Sequence, residues 1–122
     1  MIVKGGALIM VIEDAGIKGI TKTFGEVEKV MFQAGFVRAG AWDYDKASFD
    51  MKFSNEESDF YLRIPAYAVS GRLENPKAEV ELDHPIFMRH LFPHGLDRNA
   101  EIPEDFRERI DQAITEVREG LS

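Results

Sequence analysis

The chain is 122 residues long, carries a formal net charge of −7, and is 44% hydrophobic and 30% charged, with no cysteine. Those values describe one globular domain spanning residues 1–122 and exclude disordered, collagen-like and disulfide-stapled classes. An acidic chain without a basic cluster excludes phosphate-driven nucleic-acid binding, and no apolar run approaches the roughly 18 residues of a membrane-spanning helix.

The chain opens with a strand at Leu8 to Ile12. Ala7 to Ile12 is too short for a signal-peptide core and Glu13-Asp14 follows at once, so a cytoplasmic location is expected. Met10 offers a second start, which would make residues 1–9 non-native or an added edge strand. The first helix is predicted over residues 24–34. Thr23 and Glu26 have capping-box spacing, and Phe24, Val27, Val30, Met31 and Ala34 form one stripe. Gly35 should end it in the left-handed region.

Residues 36–69 hold the single Trp, all three Tyr and four of the nine Phe. They read as an antiparallel sheet. Ser48 to Phe53 alternates, with Phe49, Met51 and Phe53 on one face and Ser48, Asp50 and Lys52 on the other. Matching apolar sets across a short turn at Lys46-Ala47 pairs Tyr44 with Phe49, Trp42 with Met51 and Gly40 with Phe53. That turn lacks the Gly a type I′ hairpin prefers. Ser54 to Asp59 is a loop. The next strand sends Phe60, Leu62, Ile64, Ala66 and Ala68 to the core and Tyr61, Arg63, Pro65 and Tyr67 outward, with Pro65 marking an edge strand or a bulge.

Gly71 to Lys77 is a turn, and Ala78 to Asp83 alternates as another strand. Ile86 to Phe92 is bracketed by Pro85 and Pro93 and is read as a strand. Gly95 to Glu101 is a loop. The second helix is predicted over residues 103–119, with Pro103 at its first position and Phe106, Ile110, Ala113, Ile114, Val117 and Leu121 as its stripe. Residues 101–122 carry seven acids against three Arg, a solvated helix face. The whole is an α+β two-layer domain: a mostly antiparallel sheet of about five strands, two helices on one face, the other face open. Trp42, Phe49, Met51, Phe60, Leu62, Ile64, Val27, Met31, Phe106, Ile110 and Ile114 form the expected core.

Several side chains are candidates for chemistry. The expected register sets Asp43 against Asp50 on the face carrying Lys52, Tyr61, Arg63 and Tyr67. Two facing carboxylates call for a cation, and Arg63 is placed to supply it. Asp43, Asp50, Tyr61, Arg63 and Tyr67 are therefore the candidate binding residues, with a surface salt network as the plainer account. No nucleophile accompanies the Asp pair, so a catalytic role lacks support. His84, His90 and His94, with Asp83 and Asp97 nearby, are the other cluster. Pro93 breaks the helical spacing of His90 and His94, so no metal site is expected. No phosphate loop or dinucleotide fingerprint is present, so no cofactor is expected.

The strings Gly40-Ala41-Trp42-Asp43-Tyr44-Asp45, Ser48-Phe49-Asp50-Met51-Lys52, Tyr61-Leu62-Arg63-Ile64-Pro65 and Leu91 to Asp97 resemble the YugN-like family of small bacterial proteins. The likeness runs from about Phe24 to Asp97. It departs at Ala47, where the family pattern has Gly. The resemblance implies a small α+β protein and no assigned activity. Three functions remain. The first is a non-catalytic binding or interaction module using the open sheet face, as a homo-oligomer or with another partner. The second is a small-ligand carrier with a pocket between sheet and helices. The third is an enzyme using the Asp43/Asp50 pair or the window from His84 to His94.

Overall fold

The computed structural model describes residues 2–4, 7–39, 43–90 and 102–122. Among these residues eight strands form one antiparallel sheet, more than the sequence pattern suggests. They are β1 (Ile2–Lys4), β2 (Ala7–Val11), β3 (Thr21–Thr23), β4 (Val37–Arg38), β5 (Lys46–Ser54), β6 (Asp59–Ser70), β7 (Glu79–Leu82) and β8 (Ile86–His90). The main order is β1-β2-β8-β6-β5-β4, with β7 on the second half of β6 and β3 outside β7.

Strand β6 is the axis. β5 runs along one side of it from Lys46↔Tyr67 to Ser54↔Asp59. On its other side β8 covers Phe60 to Arg63, and β7 covers Ala66 to Ser70. Pro65 sits where one neighbour gives way to the other. Its carbonyl accepts from the amide of Asp83 at 3.0 Å, in the short link between β7 and β8. N and O of one strand residue point to the same side, so the missing N–H of Pro65 faces that link and interrupts no ladder bond. Pro65 therefore lies in a central strand rather than an edge strand, and the bulge falls later, between Ala68 and Ser70.

Helix α1 spans Phe24–Ala34 and α2 spans Glu104–Gly120. At the start of α1 the Thr23 hydroxyl accepts from the Glu26 amide at 3.3 Å and donates to the Glu26 carboxylate at 2.8 Å. Glu26 thus closes the capping box on the hydroxyl. Gly35 ends the helix at φ 100°, and the Phe36 amide returns to the Met31 carbonyl at 2.9 Å. Pro103 is the N-cap of α2 rather than its first helical residue, with Glu104 and Asp105 in the first turn. No helix among the described residues is long and apolar enough to cross a membrane.

Both helices cover the same face of the sheet. Phe24 of α1 meets Phe49 at 6.3 Å between ring centroids, and Phe106 of α2 meets Phe53 at 5.0 Å and Phe60 at 5.3 Å. Phe49, Leu62, Ile64, Val27 and Met31 have no exposed surface, and Met51, Phe60, Ile110 and Ile114 are buried as expected. Phe106 is only partly buried, and Trp42 lies outside the described residues. Phe36, Ile17, Leu73 and Phe87 complete the core beyond the expected set.

The expected first hairpin is wrong in register. Val37 pairs with Asp50 and Arg38 with Phe49, where Tyr44 had been placed opposite Phe49. The cause is the left-handed turn at Gly35, which drops Phe36 into the core at 1% exposure and brings Val37 directly alongside β5. Lys46 and Ala47, read as a turn, begin β5. The ladder continues one residue further, with the Ala68 amide donating to the Asp45 carbonyl at 2.7 Å. Tyr44, expected opposite Phe49, is 45% exposed and has the Arg72 guanidinium 5.4 Å above its ring.

Candidate functional site

The alternation of β5, β6 and β8 sends every second side chain away from the helices. Direct partners share a face, so Asp50 joins Arg63 and Ile86, while Lys52 joins Tyr61 and Met88. Val37 of β4 joins them beside Asp50. Val37, Asp50, Lys52, Tyr61, Arg63 and Met88 line a hollow of about 480 Å³ on this face, together with Arg38 and Ala39.

Its centre is an ion pair. Arg63 donates from Nε to Asp50 Oδ1 at 2.7 Å and from Nη2 to Oδ2 at 2.9 Å. The Asp50 side chain is 13% exposed and that of Arg63 36%. Two parallel charge-assisted bonds fix the plane of the guanidinium. Hydrogen bonding to Asp50 holds Arg63 above its ordinary range against the opposing effect of burial, and the charge of Asp50 adds to the rise. Lys52 is looser: its ammonium lies 3.7 Å from Asp59 and its side chain is 57% exposed.

Three of the five candidate binding residues, Asp50, Tyr61 and Arg63, thus meet in one hollow. Tyr67 lies further along the same face, 44% exposed, opposite Lys46 and Glu81. Asp43 does not join them. It is exposed before β5, and its Oδ1 accepts from the Asp45 amide at 2.9 Å, a local Asx turn. The expected Asp43–Asp50 pair is therefore absent, because Asp50 has Val37 and Arg63 as its strand neighbours. Arg63 does reach a carboxylate, that of Asp50. Val37 and Met88 were missed as lining residues. Met88 was signalled by the period-two pattern of Ile86 and Met88, whereas Val37 became visible only with the true register of β4.

Two of the three histidines, His84 and His90, lie among the described residues. His84 is half-buried, with its amide bonded to Asp83 Oδ1 at 2.7 Å, and His90 closes β8. His94 and Asp97 lie outside the described residues. No group of three or more His, Cys, Asp or Glu gathers for a metal ion among the described residues. The other buried cations have structural partners. Arg38 pairs with Glu28 and lies 4.8 Å from the Phe24 ring centroid, and Arg89 donates to Ser58 Oγ at 3.1 Å. The layer between sheet and helices, expected as the alternative pocket, is filled at Phe53, Phe60, Phe87 and Phe106 by rings in mutual contact.

The profile described as the YugN-like family matches residues 13–119. Uncharacterized protein YlbA of Bacillus subtilis is 34% identical over 84 residues, 69% of this chain and 70% of that protein. Uncharacterized protein YugN of the same organism is 36% identical over 87 residues, 71% of this chain and 65% of that protein. The crystal structure of uncharacterized conserved protein YugN from Geobacillus kaustophilus superposes with a TM-score of 0.81 at 28% identity. It covers 92% of this chain and 94% of that one.

Proposed function

The chain belongs to the YugN-like family, and from that premise we propose that it is a non-catalytic binding module that receives its partner on the open face of the sheet. One observation carries the reading. The Asp50–Arg63 pair is held in a hollow on a face that also exposes apolar side chains: Val37 in its lining is 63% exposed, and Val11 and Tyr67 elsewhere on the face are 43% and 44% exposed. Aromatic, Met and Arg side chains around a shielded charge are the composition of an interface centre. The partner is a second copy of the chain or a molecule that fits the hollow, and the absence of cysteine suits a reducing cytoplasm.

The test compares Val37→Glu and Tyr67→Glu on the open face with Glu108→Lys on the exposed side of α2. Light scattering reads assembly, and NMR titration reads small-molecule binding. The open-face changes should lower assembly or binding while leaving the thermal midpoint near that of the wild type. If all three variants match the wild type in both readouts, the open face is not the working surface.

A further inference from the structure

We propose that the hollow on the open sheet face binds a small monoanionic carboxylate with a compact apolar body, gripped by the outer edge of the Arg63 guanidinium and by Lys52. The inference rests on the open-face reading above and names its ligand class.

A guanidinium offers two paired-donor edges. Asp50 takes the Nε–Nη2 edge of Arg63. The Nη1–Nη2 edge has no protein partner among the described residues, and Asp50 holds it in a fixed plane. Two parallel N–H donors in a plane match the two oxygens of a carboxylate. Lys52 shares the hollow and is committed only to a 3.7 Å contact with Asp59, so its ammonium can reach a second oxygen.

Charge sets the valence. The protein as a whole is at −7 and repels anions at long range. Within the hollow, Asp50 balances Arg63, Arg38 is paired with Glu28 behind the lining, and Lys52, only loosely held by Asp59, supplies the remaining positive charge. One negative charge is complementary there, whereas the second charge of a dianion would meet no further uncommitted cation in the lining and would add to the repulsion from Asp50. Apart from Arg38 at one side, the rest of the lining is apolar, from Val37, Ala39, Met88 and the ring of Tyr61. A volume of about 480 Å³ falls within the roughly 300–1,000 Å³ of small-molecule sites.

The experiment titrates isotope-labelled protein with benzoate, benzamide and phenyl phosphate while recording amide and arginine Nε signals. Benzoate should produce saturable shifts at Val37, Lys52, Tyr61, Met88 and the Arg63 Nε. Benzamide, which keeps the shape and loses the charge, should bind at least about tenfold more weakly. Arg63→Gln should abolish the benzoate response. Should that variant fail to fold, Lys52→Gln alters a mostly exposed side chain and should still weaken benzoate several-fold. Equal binding of benzoate and benzamide removes the carboxylate assignment and leaves the open face as a binding surface. Tighter binding of phenyl phosphate replaces the carboxylate by a phosphate and overturns the proposal. Open-face signals that move with protein concentration alone, and that benzoate does not perturb, mean that a second copy closes the hollow. Silence to all three probes also overturns it. The broader reading then falls only if Val37→Glu and Tyr67→Glu leave assembly unchanged as well.

Discussion

Asp50 and Arg63 are direct partners across β5 and β6, and the guanidinium meets both carboxylate oxygens, at 2.7 and 2.9 Å. The Asp50 side chain is 13% exposed on a face that neither α1 nor α2 covers. Removing either partner leaves the other partly desolvated and unpaired. Arg63→Gln and Asp50→Asn should each cost about 1–2 kcal/mol, above a surface ion pair and below a fully buried one. The double variant should cost less than the sum of the two. Urea unfolding of the four proteins measures this, and simple additivity would show that the pair is not coupled.

The same pair makes a statement about pH. Arg63 is raised from its ordinary value, first by the hydrogen bonds to Asp50. A cation whose folded pKa is raised contributes stability that is complete below its unfolded pKa and is lost only as pH rises through the folded one. That window lies beyond the alkaline limit of most proteins. The stability difference between wild type and Arg63→Gln should therefore be flat from neutral pH into the mildly alkaline range. Unfolding curves at several pH values check it, and a difference that shrinks steadily over that range would assign the effect to another group.

Phe49 and Phe106 separate two grades of burial that the sequence pattern treats alike. Phe49 has no exposed surface and sits between Phe24 and Phe32. Phe49→Ala should cost about 3–5 kcal/mol. Phe106 is partly buried over Phe53 and Phe60, so Phe106→Ala should cost less, about 2 kcal/mol. Denaturant midpoints at unchanged m-value give both numbers. An equal loss would mean that the end of α2 packs more tightly than its exposure indicates.

The contrast between these residues shows what was legible. Apolar period alone identifies Phe49, Met51, Phe60, Leu62 and Ile64 as one face, because strand side chains alternate whatever their partners. It also separates Asp50 and Arg63 onto the other face. The pairing of β4 was not legible in that way. Matching Trp42 and Tyr44 to Phe49 and Met51 maximised apolar contact between two strands, yet the core face of β5 is filled by α1 and α2. The real anchor is Phe36, buried by the turn at Gly35. One local signal did point to the error: Lys46-Ala47 has no turn chemistry, and it proves to be strand. The break between β7 and β8 was legible only in part, since Pro65 signals a missing donor without saying which neighbour lapses.

The Thr23 hydroxyl serves α1 twice, as acceptor for the Glu26 amide and as donor to the Glu26 carboxylate. Thr23→Ala removes both bonds and should cost about 1 kcal/mol, whereas Thr23→Ser keeps the oxygen and should cost about half of that or less. Thermal unfolding compares them. Equal losses would locate the effect in the Thr methyl group and its place in β3 rather than in the cap.

Gly35 and Arg109 form the last testable unit. Gly35 has φ 100°, and a Cβ there would lie 2.8 Å from Arg109 Nη2 and 3.2 Å from Met51 Cε. The same Nη2 donates to the Ala34 carbonyl at 2.9 Å, so α2 reaches across to an end carbonyl of α1. Gly35→Ala should therefore act twice, through left-handed strain and through displacement of that donor, for about 2–3 kcal/mol together. Arg109→Met loses the bond but also removes Nη1, which is buried without a hydrogen-bond partner among the described residues. The two effects oppose, so its cost should stay below about 1 kcal/mol. In the Arg109→Met background Gly35→Ala should retain the backbone strain and the Met51 contact but not the displaced donor, about 1–2 kcal/mol. A double-mutant cycle by urea unfolding reads the difference. Full additivity would show that the guanidinium does not occupy the space above Gly35 in solution.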